Sequence, residues 1–584
     1  MHPRGQTMKL VEALSILKRV KHRSGEAFTC FLATGFNPFH LKTFLTAELS
    51  TLFTGQKIEI QHGLYGDLLG NVSRLAKADI DSGIVVMEWA DLDARLGIRS
   101  SAMCSPSVCA DIVATVRNRA FQIQSTIEET CRHIPLVVSF PTLPLPPFSF
   151  VPGWQAGSLE IDLNAAMHSA RSRLAQCAAV RVLSSQRLDM VSPLGERFNV
   201  ESELLVGFPY RMAHASALAH LLAHLTRKPT PKKGLITDLD DTLWRGILGE
   251  VGIEGTSWDL DHHSQMHAFY QRMLGALAAE GVLLGVASKN DCSLVESAFG
   301  RKDLALSPTI LFPVEVSWRP KSEAVARILK TWNVGPESVV FVDDSLLELA
   351  EVKASYPDVE CIQFPTKNSM AIYDLALRLR DLFGKGAILE EDSIRAQSIR
   401  RSHAGTDDYE GLKTTPESFL KCLEAEMSFN FSKTPLDSRA LELVNKTNQF
   451  NLNGRRYTEA SWQNFIRNPQ SFLLVASYTD KYGPLGKIAV LAGRQNGRKL
   501  SIDTWVMSCR AFSRQIEYRC LEGLFAKFGI DEIELDYMRT DRNSPVREFL
   551  SLVLGEAVAP GCTISRQQFE DYSKIGEPQE MTNG

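Results

Sequence analysis

The chain has 584 residues, 44% of them hydrophobic, and a net charge of −4 from 64 Lys+Arg against 68 Asp+Glu. That length calls for several domains of roughly 100–200 residues, and the apolar content is enough to build cores. The near-balanced charge argues against a nucleic-acid or membrane-surface partner, and no stretch approaches the ~18 uninterrupted apolar residues of a membrane span.

The eleven cysteines include no Cys-x-x-Cys pair, so reduced thiols in a cytoplasmic protein are expected. Near the start, Lys9, Glu12, Lys18, Arg19, Lys21 and Arg23 interrupt any apolar run of the signal-peptide kind. Residues 1–225 then alternate apolar runs with helical stretches. Strands are predicted at 28–32, 83–87 and 135–140, and helices at 41–52 and 204–225. This is an α/β pattern with a mostly parallel sheet. Trp89 and Asp91 fall just past a predicted strand without an assigned role. Residues 226–233, basic and Pro-rich, read as a linker.

Residues 234–385 repeat the α/β pattern more strongly. Strands are predicted at 234–237, 282–287 and 338–342. One helix carries Met266, Phe269, Met273, Leu274 and Leu277 on a face and ends at Gly281. A second begins at Lys321, carries Val325, Ile328, Leu329 and Trp332, and ends at Gly335. A polar segment at 386–409 reads as a second linker. Residues 410–573 look α+β, with antiparallel strands at 472–478, 487–492 and 500–507, a helix at 516–528 and a strand at 532–535. Residues 574–584 are expected to be a disordered tail.

Chemistry concentrates at the strand ends of the middle segment. The run at 234–237 ends in Asp238-Leu-Asp-Asp-Thr, which delivers Asp238, Asp240 and Thr242 to a strand tip, where open α/β sheets place their sites. Two carboxylates there suit phosphoryl transfer, one as nucleophile and one as acid/base. Downstream follow Ser288-Lys289-Asn290 after the second strand, Lys321 at a helix start, and Asp343-Asp344 after a further strand. A hydroxyl with backbone amides can hold a phosphoryl oxygen. A lysine can offset the charge, and paired acids suit Mg²⁺. Neither gap between these motifs has room for a cap domain, so the site should be open.

This order of motifs resembles the haloacid dehalogenase superfamily. The resemblance implies a Rossmann-like, capless core with Asp238 as the nucleophile that forms an aspartyl-phosphate. Asp240 would be the acid/base, with Ser288 and Lys321 on the phosphoryl group. Thr242, Lys289 and Asn290 would bind substrate. Mg²⁺ would sit on Asp238, the Asp240 main chain and the pair Asp343 and Asp344.

Asp-Thr-Leu-Trp244, Trp-Arg-Pro-Lys321, the Asn445–Asn451 segment and 503–510 narrow this to a similarity with the FkbH-like branch, covering residues 230–555. Such proteins are glyceryl transferase/phosphatases of polyketide biosynthesis. They dephosphorylate 1,3-bisphosphoglycerate, or a related phosphorylated three-carbon acid, and load glyceryl onto a phosphopantetheinylated acyl carrier protein. A plain phosphatase of small phosphoesters and a non-catalytic carrier-protein scaffold are the alternatives.

The third domain resembles an N-acetyltransferase fold. In that comparison strand 500–507 and helix 516–528 would hold a pantetheine arm, although the loop after the strand lacks phosphate-binding glycines. Cys509, beside Arg510, is the candidate acyl-carrying thiol, with Cys292 its rival. The first domain looks like a degenerate SGNH-type hydrolase. Ala33-Thr-Gly-Phe-Asn37 lacks the Gly-Asp-Ser nucleophile, and His214, His220 and His224 lack an Asp three residues before them. It is expected to be non-catalytic.

Overall fold

The computed structural model of the protein describes residues 8–23, 27–100, 105–147, 151–227, 230–386, 399–400, 425–434, 437–480, 483–508, 511, 514–540, 543–555 and 558–575. The chain forms two compact units. One comprises Met1–Pro229 with Tyr457–Phe465, and the other Thr230–Arg456 with Ile466–Gly584. Among the described residues no helix is long and apolar enough to cross a membrane.

The first unit is built on five parallel strands: β1 (Ala27–Thr34), β2 (Lys57–His62), β3 (Ser82–Val86), β4 (Leu136–Ser139) and β5 (Val180–Val182). Their order is β2-β1-β3-β4-β5. Side chains alternate across a strand, so each strand feeds two cores. Phe31, Ala33, Val85 and Val138 pack with the helices Leu68–Leu75, Pro106–Thr130 and Ser158–Leu174. Phe28, Cys30, Leu32, Ile84 and Val137 pack with Phe39–Leu52 and Met212–Thr226. The helix expected at 204–225 is in fact two, Val200–Val206 and Met212–Thr226. Gly207 takes the left-handed conformation that stops the first, and Pro209 lies in the break.

The buried His214 sits in this unit between two hydroxyls, Thr142 Oγ1 at 3.0 Å and Ser192 Oγ at 2.9 Å. Burial, then the charge of Arg197, pushes its pKa down to about 3. The folded imidazole therefore stays neutral where the unfolded one takes up a proton. Between those two pKa values the unfolded state binds more protons. Stability from this residue thus falls as pH drops below about 6.5, by up to about 1.4 kcal/mol per pH unit. His214→Gln should flatten that part of the profile. Urea midpoints from pH 7 to pH 4.5 would test it, and parallel curves for the two proteins would refute it.

The second unit holds two sheets. The first has the parallel strands β6 (Gly234–Thr237), β7 (Leu283–Ser288), β8 (Leu311–Val316), β9 (Val339–Asp343) and β10 (Glu360–Gln363), in the order β10-β9-β6-β7-β8. Strand β6, central, carries Asp238 at its tip. The registers Thr237↔Val342 and Thr237↔Val286 set the neighbouring tips level with it. Trp332 lies against this sheet because Gly234 and Gly285 leave room. A Cβ at either would come within 2.4 and 2.9 Å of the indole.

Helix Gln265–Ala279 buries His267, Tyr270, Gln271, Leu274 and Leu277. Met266, Phe269 and Met273 of the expected stripe are only partly covered, so the inward face is rotated from the one read in the sequence. Helix Lys321–Trp332 buries the expected stripe. Its left-handed cap is Asn333, with φ of 50°, where Gly335 was expected.

The other sheet of this unit has β11 (Glu426–Asn430), β12 (Phe450–Asn451), β13 (Ser471–Asp480), β14 (Gly483–Asn496), β15 (Lys499–Met507), β16 (Glu532–Leu535) and β17 (Thr563–Ser565). It is antiparallel except for the β15–β16 pair.

Candidate functional site

The tips of β6, β7 and β9 and the start of helix Lys321–Trp332 converge on one cluster. Lys321 Nζ lies 2.9 Å from Asp238 Oδ1 and 2.6 Å from Asp343 Oδ2, with all three side chains nearly excluded from solvent. The Asp238 main-chain N–H donates to Val342 O at 3.0 Å, tying the loop after β6 to β9. The Ser345 N–H donates to Asp343 Oδ1 at 2.9 Å. Asp240, two residues on, accepts from Trp244 Nε1 on one carboxylate oxygen and from Asn290 Nδ2 on the other, each at 2.9 Å. Both bonds hold its carboxyl in one orientation. Asp241 turns the chain between these residues in the left-handed region, with φ of 48°.

One ammonium cannot neutralise two buried carboxylates. Burial keeps Asp238 above the usual carboxylate range despite Lys321. Burial and the Asp238 charge push Asp343 up to about 6, and burial does the same for Asp344. Lys321 itself is held protonated: burial lowers its pKa, but the two acids outweigh burial and raise it. Asp240 is also raised by burial, which favours the protonated form that a general acid requires.

The carboxylates of Asp238, Asp343 and Asp344 each offer one oxygen within 4.8 Å of the others. Asp238 Oδ1 is buried with the Lys321 ammonium beside it. Three carboxylate oxygens gathered this closely are the donor set of a hard divalent cation such as Mg²⁺. Asp240 contributes no side-chain oxygen to that cluster; its two oxygens accept from Trp244 and Asn290 instead.

The remaining expected residues divide. Ser288 and Asn290 are buried at the tip of β7, beside the acids. Thr242 is fully buried and its hydroxyl has no hydrogen-bond partner among the described residues. Lys289 pairs with Glu348 at 2.9 Å. Cys509 and Arg510 lie outside the described residues. Cys292 is exposed at a helix start, its thiol donating to Val316 O at 3.4 Å.

Only short helices join these strands: Leu248–Gly255 and Gln265–Ala279 between β6 and β7, and Cys292–Phe299 before β8. Trp318, after β8, and Leu346 and Leu347, at the start of the helix after β9, are exposed.

The edge of β15 differs from the expected pantetheine groove. β14 pairs along one side of it. On the other side β16 pairs over Lys499–Ile502 and β12 over Val506 and Met507. Between them Leu452 N–H donates to Trp505 O at 2.9 Å and Asn453 Nδ2 to Asp503 O at 3.0 Å. The edge is therefore filled by the chain itself.

Asn543 fixes that plug. Its Nδ2 donates to Asn451 O at 3.0 Å and Met538 O at 2.9 Å, and its Oδ1 accepts from Thr540 N at 2.8 Å. Asn543 thus ties β12 to the loop before its own helix through backbone atoms. Asn543→Ala would strand several buried groups and should cost about 1–3 kcal/mol. Chemical denaturation would measure this, and an unchanged midpoint would contradict it.

No family model matches the chain, and no curated protein matches it. Among solved structures, it is similar to the N-terminal part of the protein BF1531 from Bacteroides fragilis, which contains a phosphatase domain and was crystallised with Mg. The TM-score is 0.51 at 16% identity, over 64% of this chain and 99% of that one. At this identity the likeness concerns the fold. A salicylyl-acyltransferase, SsfX3, from a tetracycline biosynthetic pathway aligns over 35% of this chain and 56% of its own. Its TM-score of 0.23 at 13% identity is too low to bear on fold or function.

Proposed function

We propose that the chain is a Mg²⁺-dependent phosphatase of the haloacid dehalogenase type working through an aspartyl-phosphate. We further propose that it is an FkbH-like glyceryl transferase/phosphatase. The observation that carries the phosphatase reading is the buried Asp238–Lys321–Asp343 cluster, with Asp344 beside it and Asp240 oriented separately. The phosphatase-domain fold of the Bacteroides fragilis protein, with its Mg, is in keeping with that reading.

In this mechanism an Asp238 oxygen attacks phosphorus and the bond to the leaving oxygen breaks. Asp240 gives that oxygen its proton. The Asp240 carboxylate then takes a proton from water as the water attacks phosphorus, and Asp238 is freed with release of phosphate. Lys321 and Ser288 hold the phosphoryl oxygens. Bound Mg²⁺ would supply charge neutralisation at the phosphoryl group, held by Asp238, Asp343, Asp344 and the Asp240 carbonyl.

For the transferase, the substrate would be 1,3-bisphosphoglycerate or a related phosphorylated three-carbon acid. A thiolate, Cys509 in this reading, attacks the acyl carbonyl and expels the acyl phosphate group as phosphate. The pantetheine thiol of an acyl carrier protein then takes the glyceryl group and releases the cysteine. The phosphoester at the other end is hydrolysed at Asp238.

The filled edge of β15 favours a second reading, in which the protein hydrolyses a small phosphoester and this sheet serves as scaffold. One assay separates them. The protein is incubated with 1,3-bisphosphoglycerate, Mg²⁺ and a phosphopantetheinylated carrier protein, and the carrier is weighed. A glyceryl mass shift supports the transferase, whereas phosphate release with an unshifted carrier leaves only the phosphatase. Neither product would end both readings.

A further inference from the structure

The first unit contains a cavity of about 930 Å³ that no part of the proposed phosphatase uses. Its volume lies within the roughly 300–1,000 Å³ of small-molecule sites. It opens past the C-terminal ends of β1 and β3, lined by Gly35 and Phe36 after β1 and by residues 88–100 after β3. In the order β2-β1-β3-β4-β5 the chain leaves these two neighbours in opposite directions. Such a switch point is where an open parallel sheet leaves a crevice for a ligand.

The polar groups around the cavity are unequally committed. Glu88 is buried and closed off: it accepts from Thr142 Oγ1, from the Thr142 and Leu143 backbone N–H groups, and from Tyr210 OH. Arg95 is paired with Asp93 and Asp111, and Arg99 with Glu203. Trp89 is locked as a wall by its Nε1 donating to Leu143 O at 3.0 Å.

Of the carboxyl and guanidinium groups that line the cavity, two remain available among the described residues. Asp91 accepts from Glu88 N on Oδ2 at 2.7 Å, while its Oδ1 stands against Gly35. A Cβ at Gly35 would lie 1.6 Å from that oxygen, so only glycine allows this carboxyl to reach the loop after β1. Burial pushes the Asp91 carboxyl up to about 7, so below that pH it is mainly protonated and can donate a hydrogen bond. Arg119, from helix Pro106–Thr130, lines the same cavity and lowers the Asp91 pKa electrostatically, yet forms no ion pair among the described residues.

A largely apolar chamber with one uncommitted cation and one carboxyl donor calls for an anion on an apolar body. We infer that this cavity binds a small organic carboxylate. Its apolar part lies against Phe36, Leu92 and Leu145, and its carboxylate rests on Arg119 and accepts from the Asp91 carboxyl. The inference is independent of the phosphatase reading, because every residue in it belongs to the first unit.

Calorimetric titration of the full-length protein with sodium decanoate tests it, with uncharged decanamide as the neutral comparison. Wild type should bind decanoate saturably at one site. Arg119→Gln should weaken decanoate by at least about tenfold, the worth of a charge-assisted contact, and change decanamide much less. Ala90→Trp, at an exposed lining position, should block both ligands by filling the mouth. Wild-type melting temperatures in both variants would confirm folding. Absence of saturable decanoate binding to wild type would overturn the inference. So would decanoate binding unchanged in either variant.

Discussion

Asp238→Asn should abolish Mg²⁺-dependent phosphate release, lowering kcat on the order of 10⁴-fold or more, as removal of a nucleophile does. An amide oxygen is a poor nucleophile, and its nitrogen would face the Lys321 ammonium only 2.9 Å away as a second donor. The fold should survive, because Lys321 keeps Asp343 as its partner at 2.6 Å. The variant must therefore be compared with wild type at equal folded concentration, using release of inorganic phosphate as the readout. Full activity would remove Asp238 from the chemistry. Asp240→Asn should behave differently. The carboxamide can still accept from Trp244, but it has no proton to give to a leaving oxygen and cannot activate water. Its loss should be smallest on substrates with acidic leaving groups.

Lys321→Met should have the largest effect on stability. It replaces the ammonium with an apolar chain of similar length and leaves two buried carboxylates without a counter-charge. Breaking a buried pair from one side costs about 3–5 kcal/mol. The penalty should grow as pH rises through about 6, where Asp343 gives up its proton, because charged carboxyls are what the site then fails to neutralise. Saturating Mg²⁺ should recover part of the loss by supplying positive charge to Asp238, Asp343 and Asp344. Denaturation midpoints in chelator and in Mg²⁺, at pH 5 and pH 8, measure all of this. A variant as stable as wild type in chelator at pH 8 would show that the lysine does not hold the acids.

The acids of this site were legible in the sequence for a physical reason. Buried parallel strands are near-continuous apolar runs, so an Asp ending such a run stands out, as at Asp238 and Asp343. What escaped lacked that signal. Strand β8 contains Pro313 and Glu315, which break its apolar run, and β12 is two residues long. Asn543 acts through bonds to backbone atoms that are distant in sequence. Thr242 follows the acids in the pattern, but the turn at Asp241 carries it inward. Lys289 sits in the right segment, and only the structure brings Glu348 to it. The plug on β15 was missed because the sequence does not show which strand edges are already taken.

The ladder that sets the strand tips level has a consequence for how the protein could be handled. Thr237 lies opposite both Val342 and Val286, so the reactive groups depend on alignment between three strands. A slip of one residue along β9 would displace Asp343 by about 3.3 Å and turn it to the opposite face. Turnover recovered after refolding would thus act as a ruler for the sheet. It would count only molecules whose central strands have re-paired in the native alignment, a distinction that helix content measured by circular dichroism would not make.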